Sequence, residues 1–185
     1  AASDVYKRQV LYNQESKWMS IVFHEQDKEL SKILPYLSDL IMGCCNSLSV
    51  TSEGSLVGDP MEKSIQQISS WRINNFCENN YQHKDQLSKF HILKRYPFSP
   101  EEQRMTNIGT LSLKDDTQLN SMLKQCGENK VDKEIGLVIS KGSPEIMLQF
   151  FKNVDHNIYK HVVYQATLLG YRILALGAKT CDLRE

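Results

Sequence analysis

The stretch IGLVISKGSPEIMLQFF, residues 135–151, changes periodicity halfway along, and that change decides the fold class. Ile135 to Ser140 is a continuous apolar run of strand length, ending at Lys141-Gly142. Pro144 follows, where a missing N–H costs nothing in the first turn of a helix, and it opens a helix carrying Ile146, Met147, Phe150 and Phe151. A buried strand handed to a helix through a short lysine-bearing turn belongs to a mixed α and β domain.

Working outward, a further helix from about Asp155 carries Ile158, Val162, Ala166 and Leu169, and Tyr171 to Ala178 closes as an apolar strand. On the other side, Phe90 to Tyr96 and Met105 to Leu111 read as partner strands around the turn at Ser99-Pro100. Residues 112–134 are polar and read as a loop insertion with room for one short helix.

Earlier in the chain, Leu37, Leu40, Ile41, Cys44 and Leu48 recur at helical spacing from Lys32 onward, with Pro35 near the start. Residues 49–57 read as a hairpin around Glu53-Gly54. A second helix begins near Asp59, a good N-cap, with Pro60 in the first turn and Met61, Ile65, Ile68 and Trp71 on one face. Residues 74–86 are rich in Asn, Gln and charge and read as a loop. Val10 to Tyr12 and Trp18 to Phe23 are two short strand-like runs, whereas residues 1–9 join no pattern and read as a non-native leader. The expected class is α+β, a sheet flanked by helices, with strands clustered in the second half.

Composition narrows the function. The 185 residues carry 22 Lys+Arg against 22 Asp+Glu, so the net charge is zero, which argues against non-specific nucleic-acid binding and a polybasic membrane patch. The longest apolar run, Leu168 to Ala178, is broken by Gly170 and Arg172 and falls short of the roughly 18 residues that cross a bilayer. With no secretory signal and no Asn-x-Ser/Thr acceptor, the segment reads as cytosolic. Five cysteines without C-x-x-C spacing read as reduced thiols, and His156 and His161 are too poorly spaced on a helix to suggest a metal site.

No phosphate-cradling glycine loop, nucleophile elbow or H-E-x-x-H motif occurs. Four clusters stand out instead: GDPME at 58–62, FSPEEQRM at 98–105, KGSPE at 141–145 and GYRILAL at 170–176. Each alone is compatible with a capped helix start, a strand end or a turn.

In this order and at these separations, the four resemble the signatures of the nucleotide-binding domain of P-type ATPases: G-D-P-x-E, a Phe followed by an Arg-Met strand, K-G-[AS]-P-E, and G-x-R-x-L-A-L. The resemblance covers residues 35–180. LVGDPMEKS at 56–64, MGCCNSLSV at 42–50 and RILALGAK at 172–179 look most like the fifth class, and within it the A subtype of endoplasmic-reticulum pumps that dislocate transmembrane helices. It implies a P-type nucleotide-binding fold, an antiparallel sheet flanked by helices. It also implies a connecting segment at 10–34 arriving from a phosphorylation domain and a return toward that domain at 181–185.

The resemblance implies ATP as ligand. Phe98 offers an aromatic face for adenine, a stacking interaction of about 1–3 kcal/mol per base. Glu62 can accept from the adenine amino group, Lys141 can reach ribose or phosphate oxygens, and Arg172 offers a fork for phosphate. Gly142 allows close approach beside Lys141, and Asp59 organises its loop. Many relatives carry Lys five residues after the Phe; here Gln103 stands there, with Arg104 beside it.

The phosphoryl-accepting Asp of a D-K-T-G-T motif does not occur in these residues. The resemblance therefore assigns it, and most of the Mg²⁺ binding, to a phosphorylation domain of the same polypeptide. An actuator domain and membrane helices complete such a pump, with this domain facing the cytosol. Two alternatives stay open at this level: a cation- or polyamine-transporting pump of another subtype, and a nucleotide-free α+β interaction module. The expectation is direct: reading the gene upstream should meet D-K-T-G-T within a few tens of residues of Val10, and its absence there would remove the enzymatic reading.

Overall fold

In a computed structural model of the protein, residues 7–13, 18–24, 30–74, 77–114, 134–151 and 154–182 are described. The elements in chain order are β1 (Lys7–Asn13), β2 (Trp18–His24), α1 (Leu30–Cys44), β3 (Ser49–Val50), β4 (Leu56–Val57), α2 (Pro60–Ile68) and β5 (Trp71–Asn74). They continue with β6 (Cys77–His83), β7 (Lys89–Ser99), β8 (Arg104–Ser112), β9 (Glu134–Gly142), α3 (Pro144–Met147), a 3₁₀ turn (Leu148–Phe150), α4 (His156–Leu168) and β10 (Arg172–Thr180). The architecture is α+β. Eight strands form one sheet in the order β1-β2-β10-β9-β8-β7-β6-β5, while β3 and β4 make a separate small hairpin. Neighbours run antiparallel throughout, except that β10 pairs parallel to β2. β1 begins at Lys7, inside the stretch expected to be a leader, and β1 and β2 extend the same sheet beside β10.

One face of the sheet carries the main core. Phe90 and Ile92 from β7, Met105 and Leu111 from β8, Leu137 and Ile139 from β9 and Leu176 from β10 alternate with residues of the opposite face, the period-two pattern of a sheet covered on this side. Over them lie α1 and α2, with Leu40, Ile41, Cys44, Cys45 and Ile65 buried. α1 is buried around more of its circumference than a single stripe, because it contacts both the sheet and α2, so Met42 joins the expected Leu40, Ile41 and Cys44, and Cys45 just after the helix is buried with them. Burial pushes the Cys45 thiol up to about 11 and the Cys44 thiol well above its ordinary value. The other face holds a smaller cluster, in which Met147, Leu148 and Tyr159 pack on Ala175.

Several expectations are corrected here. Residues 74–86, read as a loop, contain the end of β5 and the strand β6. β6 needs only one apolar contact on the core side: buried Tyr81, registered opposite Phe90, supplies it, while Asn80 on the other face bonds His91. α2 ends at Ile68, so Trp71 is buried from strand β5 and Ile68 is exposed. The termination is polar: Arg72 donates to the carbonyls of Gln66, Gln67 and Ser69, and Asp39 accepts from the N–H of Ser70.

The helix opened by Pro144 lasts only to Met147 before tightening into the 3₁₀ turn, and Phe150 is left exposed. α4 starts after the N-cap Asp155 and buries Ala166 as expected, but Tyr159 is buried in place of Ile158, and Leu169 is exposed. α1 starts at Leu30, which places Pro35 beyond the first turn. Most of the expected insertion, residues 115–133, lies outside the described residues; the strands flanking it pair at Ser112 and Glu134.

The layering makes a stability prediction. Phe90→Ala, at a fully buried ring, should lower unfolding free energy by about 3–5 kcal/mol in urea titrations. Leu168→Ala, on the exposed side of α4, should change it by no more than about 0.5 kcal/mol. Equal losses would contradict the assignment of the core to the α1/α2 face.

Candidate functional site

The site grows from the place where the apolar stripe of β9 ends. Leu137 and Ile139 point into the main core, and the next residue on that face is Lys141, still only 5% exposed. Across the sheet it registers with Met105 of β8 and Leu176 of β10. Its ammonium Nζ lies 2.9 Å from Oε1 of Glu62 in the first turn of α2, and that carboxylate is also buried. The approach makes an ion pair without hydrogen-bond alignment, so no acceptor among the described residues lies along a Lys141 N–H. A buried ammonium with unmet hydrogen-bonding capacity is costly.

Glu62 is held from two directions. Asp59 caps α2 with its Oδ1 accepting from the N–H groups of Met61 at 2.8 Å and Glu62 at 3.2 Å, which fixes the helix start. The backbone N–H of Ser47, just after α1, donates to Glu62 Oε2 at 2.9 Å. Gly58, with φ +144°, makes the turn into that cap, where an added Cβ would stand 2.7 Å from Cδ2 of Leu48.

The hairpin joining β7 and β8 forms the opposite wall. Gln103 adopts φ +47°, its N–H donates to Ser99 O at 2.8 Å, and its own carbonyl accepts from the N–H of Ser143 at 2.9 Å. The Ser143 hydroxyl lies 3.2 Å from Gln103 Oε1. The hairpin tip is thus tied across the end of β9. Gly142 is what lets it pass: a Cβ there would meet Arg104 Cβ at 2.6 Å and Gln103 O at 2.7 Å. Phe98 stands on this hairpin, more than half exposed. β9 stops at Gly142, opposite Ala175, so Arg172 to Leu174 of β10 run past its end to complete the rim.

These four segments enclose a cavity of about 750 Å³, within the range of small-molecule sites. Seven of the eight residues singled out by sequence line it: Asp59, Glu62, Phe98, Gln103, Lys141, Gly142 and Arg172. Arg104 does not. Its guanidinium lies over the Phe150 ring, 4.2 Å from the centroid, and pairs with Glu102 at 2.9 Å. Sequence reasoning missed Ser47, whose contribution is a backbone N–H and leaves no side-chain signature, and the apolar floor of Met61, Met105, Ile173 and Leu174. Ser143 sat inside the quoted K-G-S-P-E cluster without being singled out.

The cavity combines an exposed aromatic face, an apolar floor, a buried ammonium with unmet capacity and a guanidinium at the mouth. No group of three or more His, Cys, Asp or Glu side chains among the described residues is placed to hold a metal ion. No helix among them is long and apolar enough to cross a membrane.

Fold and cavity together define an α+β domain with a cavity of small-molecule size. No protein-family model matches the chain. The chain is similar to the endoplasmic reticulum transmembrane helix translocase of Saccharomyces cerevisiae (strain ATCC 204508 / S288c). Over 146 residues, 79% of this chain, the two are 24% identical. The match takes in 10% of that protein, so the chain spans about one tenth of its relative's length.

The buried ion pair yields a testable asymmetry. Glu62→Gln and Lys141→Met alone should each destabilise the domain by about 3–5 kcal/mol, since each strands a buried charge. The double variant should recover a large part of that loss in denaturant titrations. Additive losses would show that the two groups do not act as a pair.

Proposed function

We propose that residues 35–180 are the nucleotide-binding domain of a P-type ATPase, of the fifth class and its A subtype. The domain binds ATP for a larger membrane-embedded pump of the endoplasmic reticulum and faces the cytosol. The observation that carries this reading is the convergence of four sequence clusters, separated by up to about a hundred residues, on one cavity. Coincidental motifs in an interaction module would have no reason to meet.

The residues divide the work by chemistry. Phe98, exposed at the rim, stacks a purine, while Met61, Met105 and Ile173 supply apolar contact beneath it. Lys141 directs its unmet N–H groups to ligand oxygens or ring nitrogens, and Glu62 keeps lone-pair capacity for an amino group beyond its bonds to Ser47 and Lys141. Arg172 at the mouth meets phosphate, since Gln103 stands where many relatives carry Lys and Arg104 turns away onto Phe150. Asp59 is committed to capping α2, so it orients Glu62 rather than touching ligand.

Bound ATP supplies a transferable phosphoryl group; the acceptor aspartate, most of the Mg²⁺ coordination and the transport path belong to phosphorylation, actuator and membrane domains of the same polypeptide. The similarity to a helix translocase of the endoplasmic reticulum supports this assignment of subtype and membrane.

The test is titration of the 185-residue chain with a non-hydrolysable ATP analogue, followed by chemical shifts. Wild type should show saturable changes at millimolar nucleotide, Phe98→Ala should bind roughly tenfold more weakly, and Arg172→Ala should lose affinity for ATP more than for adenosine. Both side chains are exposed, so folding should survive. No nucleotide-dependent shift in wild type would sink the proposal in favour of a nucleotide-free module.

A further inference from the structure

Arg95 lies on β7, half-buried, and does not line the cavity. Its guanidinium nevertheless takes hold of the chain where it enters the site. Nη1 donates to the backbone carbonyl of Asn46 at 2.9 Å, Nε donates to Asn79 Oδ1 at 3.1 Å, and Nη2 lies 3.4 Å from the Tyr81 hydroxyl. The carbonyl of Asn46 and the N–H of Ser47 belong to one peptide unit, and that N–H is the donor to Glu62 Oε2.

A trans peptide is planar, with C=O and N–H pointing opposite ways, so fixing the carbonyl direction fixes the N–H direction. A cationic donor on the oxygen also polarises the unit and strengthens its N–H as a donor. The side chain of Asn46 prevents the unit from rotating away. Its Nδ2 donates to Gly43 O at 2.7 Å, and its Oδ1 accepts from the Leu48 N–H at 3.1 Å and the Tyr81 hydroxyl at 3.0 Å.

We propose that Arg95 is a positioning residue for the ligand pocket, acting through the Asn46–Ser47 peptide to hold the Glu62 carboxylate against Lys141. The chain of contacts runs from guanidinium to carbonyl, from amide N–H to carboxylate, and from carboxylate to ammonium, with 2.9 Å at each step. The proposal rests on the nucleotide reading only for its effect on affinity; the geometry at Ser47 is independent of the ligand's identity.

The experiment uses the 185-residue chain, reading the Ser47 amide proton shift in ¹H–¹⁵N spectra and the affinity for a non-hydrolysable ATP analogue. Arg95→Met keeps the aliphatic stem and removes the charge. It should move the Ser47 amide proton upfield and weaken binding roughly tenfold. Arg95→Lys, which retains a cationic donor, should fall between Met and wild type in both. Val163→Ala, packed against the small cluster on the other face of the sheet, should lower stability while leaving both readouts at wild type. In Arg95→Met combined with Glu62→Gln, the losses in affinity should be less than additive.

An unmoved Ser47 amide in folded Arg95→Met, or the same shift produced by Val163→Ala, would overturn the proposal. If wild type binds no nucleotide, the functional reading fails, and the Ser47 amide alone decides whether Arg95 positions the pocket.

Discussion

The buried pair between Lys141 and Glu62 is the constraint around which this molecule is arranged. Two charges removed from water must be brought together, because either one alone would leave an uncompensated ion in the interior. That requirement sets the position of α2 relative to the sheet: its first turn must stand over the end of β9. The capping carboxylate of Asp59, the left-handed turn at Gly58 and the N–H of Ser47 all serve that placement. The pair also leaves the ammonium with donors that no described protein atom aligns with.

The two faces of the sheet are used differently. The α1/α2 face carries a dense core with Phe90, Ile139, Cys44 and Cys45 wholly excluded from solvent, and this rigidity holds the floor of the cavity. The other face is covered over β9 and β10 by α3 and α4, around a cluster of a few residues. The wall that carries Phe98 is a hairpin tip, fixed by one backbone and one side-chain bond between Ser143 and Gln103 and by the stacking of Arg104 on Phe150.

Much of this was legible in the sequence, for identifiable reasons. The strand ending at Lys141-Gly142, the cap at Asp59, the hairpin at Ser99-Pro100 and the strand after Gly170 all carry local signals, an apolar period or a turn residue with its own stereochemistry. β6 was not legible, because a strand whose outward face is Asn and Gln looks like a loop until its neighbour is known. Nor was the buried face of α4. Ala166 was expected on it, but Ile158 fits a helical stripe as well as Tyr159 does, and the choice between them is made by what α4 packs against.

For the site the division is similar. Sequence by itself determined which residue types are present and which short segments hold them, since caps, turns and strand ends are local matters. Only the tertiary structure decided that Asp59, Glu62, Phe98, Gln103, Lys141, Gly142 and Arg172 share one cavity while Arg104 turns away onto Phe150. It alone disclosed the bonds from the Ser47 amide to Glu62 and from Arg95 to the Asn46 carbonyl. The reason is physical. A backbone N–H is carried by every residue but proline, and a guanidinium acting through a peptide plane leaves no mark on spacing or periodicity. Such contributions exist only once the chain has folded and distant segments hold each other in place.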